Sequence, residues 1–345
     1  MVNLLDLSLN ELKDFIKNLG EKEFRAKQIF DWMYKGKDFD EMLNIPKSLR
    51  DQLKEESYLS IPKVEKIQIS KDGTRKYLFT YRDGISIESV FMKYKFGNSI
   101  CVSTQAGCRM GCKFCASTIN GLDRNLTSGE ILGEILASMR ESGEIINHIV
   151  LMGTGEPFDN YDNIKKFITL VHDGLGLSMR NITVSTCGII PKIKEFSEDF
   201  KEVNLAISLH ETTDEKRSNL MPINLKYHLE DLIAACKEYV KETNRRITFE
   251  YTLVSDINDN MDDAKRLASL LKGLLCHVNL IPLNEVSETG LKTVDLKKAY
   301  EFQSYLNDKG IPCTIRRELG EDIDAACGQL RLSKKSHWNI LKDIV

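Results

Sequence analysis

Three cysteines, Cys108, Cys112 and Cys115, stand in one short run spaced C-x-x-x-C-x-x-C, and Gly107 and Gly111 beside them allow a tight loop that turns three thiolates toward a shared ligand. Structural zinc ordinarily takes four protein ligands, and no fourth cysteine or histidine lies close in sequence. A cluster of four irons held by only three cysteines leaves one iron with an open coordination position, which a further ligand must fill. Six more cysteines are spread along the chain, nine in all. In a reducing compartment their ordinary role is that of small buried hydrophobes.

The elements that must position this loop follow from periodicity. Ser8 with Glu11 makes a capping box, and Leu12, Phe15, Ile16 and Leu19 follow at helical spacing, ended by Gly20. A second helix runs through Ala26, Ile29, Phe30 and Met33 to Gly36, and a third is expected from Ser48 to Tyr58. From Pro62 the texture changes to short β-prone runs, 63–70, 75–81 and 85–94, parted by Asp72-Gly73 and Asp83-Gly84 turns, which predicts an antiparallel meander. From residue 99 apolar strands alternate with helical patterns. The strands are expected at 99–104, 147–152, 181–186, 203–209, 246–254 and 276–282, the helices near 127–141, 161–172, 190–198, 228–242, 260–272 and 295–308. A further strand, 313–318, precedes a polar loop that carries Cys327. The reading is an α/β chain in four parts: a helical module over 1–60, a small antiparallel β extension over 61–98, a core of six βα units over 99–310, and a C-terminal segment over 311–345. Six such units build either a partial barrel or an open doubly wound sheet, and in both, ligands gather at the carboxyl ends of the strands.

Bulk properties narrow the class. No run approaches the roughly 18 apolar residues of a membrane span, and Met1 to Leu12 lacks the basic-then-apolar layout of a signal peptide, so a cytoplasmic protein is expected. The net charge of −3 carries no global nucleic-acid signal. It is unevenly spread, however: residues 61–126 hold eleven Lys/Arg against five Asp/Glu. Either this is a solvated charged face or, if the side chains cluster in space, it meets phosphates.

Several polar residues fall at the predicted strand ends. Gly153-Thr154-Gly155-Glu156-Pro157 closes the second strand, Ser185 the third, Ser208-Leu209-His210 the fourth, and Asn284 follows the sixth. Singly these are turns and satisfied polar caps; gathered at one end of a sheet they describe a ligand site. Cys101 reads as packed on a core strand, and Glu88, on an alternating strand with Ser86 and Val90, reads as a surface carboxylate. Cys327 differs, lying in a glycine-bounded polar loop with Asp322 and Asp324.

The cysteine motif resembles that of the radical S-adenosylmethionine (SAM) enzymes. The resemblance implies that SAM binds the open iron of a [4Fe-4S] cluster and is split to methionine and a 5′-deoxyadenosyl radical. It also implies that Gly155 and Glu156 receive the SAM ammonium group. A closer resemblance is carried by Phe24-Arg25-Ala26-Lys27-Gln28, Cys101-Val102-Ser103-Thr104-Gln105, Met221-Pro222-Ile223-Asn224 and Asp322 to Leu330, which are similar to the RlmN family of ribosomal RNA adenine methyltransferases. That family makes 2-methyladenosine in 23S rRNA and, in dual-specificity members, in tRNA. By resemblance Cys327 carries the methyl group, Glu88 is the base, and Cys101 is the thiol that closes a transient disulfide with Cys327. Other expectations implied are a monomer and an electron donor such as flavodoxin or ferredoxin. The Cfr family, which methylates carbon 8, shares the cysteine set, but Gly155-Glu156-Pro157 followed by Asn160-Tyr161-Asp162-Asn163 is closer to the carbon 2 enzymes. Two rival functions are compatible with the motif. A glycyl-radical activase has no use for Cys327, and a non-enzymatic iron–sulfur RNA-binding sensor leaves SAM intact. Cys187, Cys236, Cys276 and Cys313 are assigned to packing.

Overall fold

The computed structural model describes residues 1–330 of the chain. Strand β1 (Val2–Asn3) pairs in parallel with β2 (Ser57–Tyr58), closing a module of three helices, α1 (Leu9–Asn18), α2 (Phe24–Met33) and α3 (Lys47–Glu56). The Ser8–Glu11 capping box opens α1 as expected. This module shares one apolar core with the rest of the molecule. Tyr34, after α2, donates its hydroxyl to the Leu170 carbonyl at 3.1 Å, a contact well beyond the module.

The meander forms as β3 (Lys63–Ile69), β4 (Arg75–Thr80) and β5 (Ser86–Tyr94), and a further hairpin brings in β6 (Gly97–Cys101). β6 is therefore both the last strand of the meander and the first of the core. A short hairpin of β7 (Gln105–Gly107) and β8 (Leu122–Asn125) leads to α4 (Ser128–Ser142). Then follow β9 (His148–Leu151), α5 (Tyr161–Leu175), β10 (Ile182–Thr186), α6 (Ile190–Asp199), β11 (Asn204–Ser208), α7 (Asp214–Leu220), α8 (Leu229–Thr243), β12 (Ile247–Leu253), α9 (Met261–Leu271), β13 (Cys276–Pro282), α10 (Leu296–Asp308) and β14 (Cys313–Ile315).

The main sheet runs β3-β4-β5-β6-β9-β10-β11-β12-β13-β14, antiparallel up to β6 and parallel from β6 onward. Strand order from β6 follows chain order without reversal, whereas a doubly wound sheet needs a reversal point. Right-handed crossovers in one direction keep the helices on one face. The core is thus a partial (β/α)6 barrel, with β14 as an additional parallel edge strand.

Differences from expectation are local. The first core strand stops at Cys101 rather than 104, because Val102 to Thr104 peel away to bond the loop after β9: Gly153 N donates to Val102 O at 3.0 Å and Thr104 N to Thr154 O at 2.8 Å. The last strand ends at Ile315, short of the expected 318. Helix α7 is an addition to the expected elements, since seven largely polar residues carry no apolar stripe. The C-terminal segment, 311–345, is described as far as Leu330; the rest of it lies outside the described residues. Among the described residues no helix is long and apolar enough to cross a membrane.

Candidate active site

The cysteine loop leaves β7 at Gly107, whose φ of +79° and contact with the Gly121 carbonyl leave no room for a side chain. Backbone bonds hold the loop from two sides: Cys108 N donates to Gly121 O at 3.0 Å, and Lys113 N to Leu220 O, the end of α7, also at 3.0 Å. Cys108, Cys112 and Cys115 border one cavity. Among the described residues no three His, Cys, Asp or Glu side chains close on a single ion. The three thiols share that cavity's wall. Burial pushes the Cys108 thiol up to about 12 and Cys112 well above its usual range, so any metal that binds them must displace these protons.

The same cavity is bordered by Gly155, Glu156, Ser185, Ser208, His210 and Asn284. Gly155 has φ +109°, and a Cβ there would lie 2.7 Å from Gln105 Cβ and 2.8 Å from Thr104 Oγ1. Burial raises the Glu156 carboxyl, although it accepts bonds from Thr186 Oγ1 at 2.6 Å, Phe158 N at 3.0 Å and Cys187 N at 2.8 Å. Those bonds fix its orientation toward the cavity and use most of its accepting capacity. His210 has a left-handed backbone, φ 57°, and its Nδ1 accepts from Thr252 N at 2.9 Å, which leaves the proton on Nε2. Burial, then the nearby Arg217 cation, lower its pKa to about 3, so the ring is neutral at physiological pH.

Two of the expected residues make contacts of a different kind. Leu209 does not reach the cavity; it alternates away from Ser208 into the apolar core and is fully buried there. Asn284 reaches the cavity, but its amide donates to the Cys327 carbonyl at 3.0 Å. Ala116, next to Cys115, donates its N–H to Gly328 O at 2.7 Å, so the Cys327 loop is fastened to the cysteine loop as well.

Cys327 borders two cavities, that of the three cysteines and a second one lined by Cys101, Val90 and Met92. Cys101 pairs directly with Val90 across β5 and β6. Glu88, two residues earlier on β5, therefore shares that face, and it is buried rather than at the surface. Both cysteines are free thiols.

Sequence reasoning missed Arg316, which borders both cavities and pairs with Glu250 at 3.8 Å. Its signal was available: it follows β14, a seventh parallel strand with its own carboxyl end. It also took Cys187 for packing alone, whereas Cys187 borders the cavity beside Glu156.

The basic segment divides by strand alternation. Arg75 is paired with Glu141 at 2.9 Å, and Lys76 is buried between Glu88 at 3.6 Å and the Asp324 carbonyl at 3.1 Å, so neither is open to phosphate. Lys63, Lys66 and Lys71 are exposed.

A partial barrel whose strand ends carry three clustered thiols and a Gly-Glu-Pro loop defines the radical SAM class. Residues 102–268 match the radical SAM superfamily, and residues 2–59 match the ribosomal RNA large subunit methyltransferase N-terminal domain. The chain is 55% identical over 338 residues to a probable dual-specificity RNA methyltransferase RlmN of Clostridium perfringens, covering 96% of this chain and 97% of that one. A counterpart of the same description from Clostridium tetani is 55% identical over 335 residues, covering 96% of each. The crystal structure of a radical SAM methyltransferase from Sphaerobacter thermophilus is similar with a TM-score of 0.94 at 42% identity, covering 96% of this chain and 100% of that one. The chain belongs to the RlmN family. Its cofactors are accordingly a [4Fe-4S] cluster and SAM, and three thiols around a cavity backed by Gly155 and Glu156 form a donor set that fits them.

Proposed function

We propose that the chain methylates carbon 2 of an adenine in 23S rRNA, and in tRNA, using Cys327 as the methyl carrier. One observation carries the reading: Cys327 stands on the border between the cavity of the three cysteines and the cavity that holds Cys101. A residue that must meet SAM and then RNA belongs at such a boundary.

Carbon 2 of adenine is neither nucleophilic nor acidic, so methylation by simple displacement has no lone pair to use. Cys108, Cys112 and Cys115 hold the cluster, and Gly155, Glu156, Ser185, Ser208, His210 and Asn284 seat SAM. Bound together, these cofactors supply a methyl group and a hydrogen-abstracting 5′-deoxyadenosyl radical. The Cys327 sulfur carries the methyl group, whose carbon, once a hydrogen is lost, bonds to the ring. Glu88 takes the ring proton as the adduct gives up one electron, for which the oxidised iron–sulfur cluster held by Cys108, Cys112 and Cys115 would be the acceptor. Cys101 then attacks the Cys327 sulfur, the ring-bound carbon leaves and is protonated, and a Cys101–Cys327 disulfide remains for an external reductant to reopen. An adenine edge is open to this only when unstacked, so the target is a loop base drawn into the cavity. The protein works in the cytoplasm, as a monomer, with an electron donor such as flavodoxin or ferredoxin.

The test is to incubate reduced, cluster-loaded enzyme with SAM and an rRNA fragment or tRNA, digest the RNA, and compare its nucleosides with authentic standards. Release of 5′-deoxyadenosine with 2-methyladenosine is expected. The 8-methyl isomer would move the target to carbon 8, and intact SAM would reject the reading.

A further inference from the structure

We propose that Lys76 is a positioning residue that ties the base Glu88 to the loop bearing Cys327; this rests on the roles proposed for those two residues in the methylation. In the antiparallel register Lys76 of β4 lies opposite Val90 of β5, and Glu88 is its diagonal neighbour on the same face. The ammonium stands 3.6 Å from Glu88 Oε1 and donates to the Asp324 carbonyl at 3.1 Å. The two side chains are only 8% and 11% exposed. A charge this far from water must be met by fixed partners, so its position is set from both sides.

The partners belong to different working parts. Asp324 lies three residues before Cys327 and has a left-handed backbone, φ 51°, a conformation that aspartate adopts more readily than most side chains. The same hairpin grips the loop twice more: Asp72 Oδ2 accepts from Gly320 N at 3.0 Å, and Asp322 Oδ2 from Lys71 N at 3.4 Å. Of these three ties, that of Lys76 alone also reaches Glu88. The far end of the loop is fixed separately, by Ala116 and Asn284. Lys76 thus sets the spacing between the carboxylate that takes the ring proton and the sulfur that holds the ring carbon. It touches neither substrate nor cofactor and acts through the two residues it joins.

The experiment compares cluster-loaded full-length Lys76→Met, Lys76→Arg and Glu88→Gln with wild type by hydrogen exchange over residues 319–327, alongside methyl loading of Cys327 and methylated-adenine yield. Loss of a local tie should raise exchange in the loop by on the order of tenfold in Lys76→Met. Arginine should restore most of the protection, and Glu88→Gln, which leaves the Asp324 bond, should stay within about twofold of wild type. Adenine methylation in Lys76→Met should fall more than Cys327 loading. Should the methionine variant not assemble, Lys76→Gln keeps a similar stem and carries the same test with the same expected direction. Wild-type exchange in the uncharged variant would overturn the proposal. Undiminished adenine methylation in Glu88→Gln would instead remove Glu88 as the base, a separate failure, because the loop tie is read from exchange.

Discussion

Glu88 and Cys101 occupy diagonal positions on one face of neighbouring antiparallel strands, since Val90, two residues beyond Glu88, is the direct partner of Cys101. Such diagonal neighbours are separated by about 7–8 Å. Cys101 and Cys327 border one cavity together with Val90, while Glu88, on the same face, lies beyond its lining. The roles proposed for these three residues make distinct predictions.

Replacing Cys327 with alanine removes the methyl carrier without touching the three cysteines of the loop. RNA methylation should fall below detection while 5′-deoxyadenosine is still released, as read by chromatography of the quenched reaction. Continued methylation would show that Cys327 carries nothing.

Replacing Cys101 with alanine leaves a bridge from Cys327 to the RNA that no thiol can open. A covalent protein–RNA complex should accumulate and survive denaturing electrophoresis. If Cys101→Ala instead turns over freely, another group resolves the bridge.

Gly155→Ala forces a side chain into a backbone with φ +109° and against Gln105 and Thr104. Strain of this kind costs roughly 1–3 kcal/mol. A lower melting temperature and weaker SAM binding are expected by thermal shift and equilibrium dialysis; wild-type values for both would mean that the Gly-Glu-Pro loop is not held as described.

The exposed lysines of β3 and its turn, Lys63, Lys66 and Lys71, are the candidates for phosphate contact. Changing all three to glutamine should weaken RNA binding and flatten its salt dependence by about one unit of slope for each phosphate left without its lysine. Arg75→Gln should lower stability, by removing the ion pair with Glu141, with little effect on RNA affinity. Equal effects of both sets on binding would contradict this division of the strand.

What was legible in the sequence followed from locality. The cysteine loop could be read because its three thiols are contiguous, and the βα units because each strand and helix declares its own period. The strand-end rule brought Ser185, Ser208 and His210 to the cavity, yet carried Leu209 along with them, since a rule about chain position does not say which way one side chain turns. Charge counting failed in the same way at Arg75 and Lys76, which point to opposite faces of β4 and find Glu141 and Glu88. That Glu88 is buried, and that Cys327 lies close to Cys101, depends on contacts between distant segments. Family resemblance suggested those roles, and no periodicity in the chain could have. Arg316 was missed because β14 had not been counted among the barrel strands.

In the proposed reaction the methyl carbon passes through Cys327 and loses one hydrogen there. Reduced, cluster-loaded enzyme with methyl-trideuterated SAM and an rRNA fragment, followed by mass spectrometry of the digested nucleosides, tests it directly. Two deuteriums are expected in the new methyl group on carbon 2 of adenine; retention of three would mean that the methyl group is transferred intact, without losing a hydrogen on Cys327.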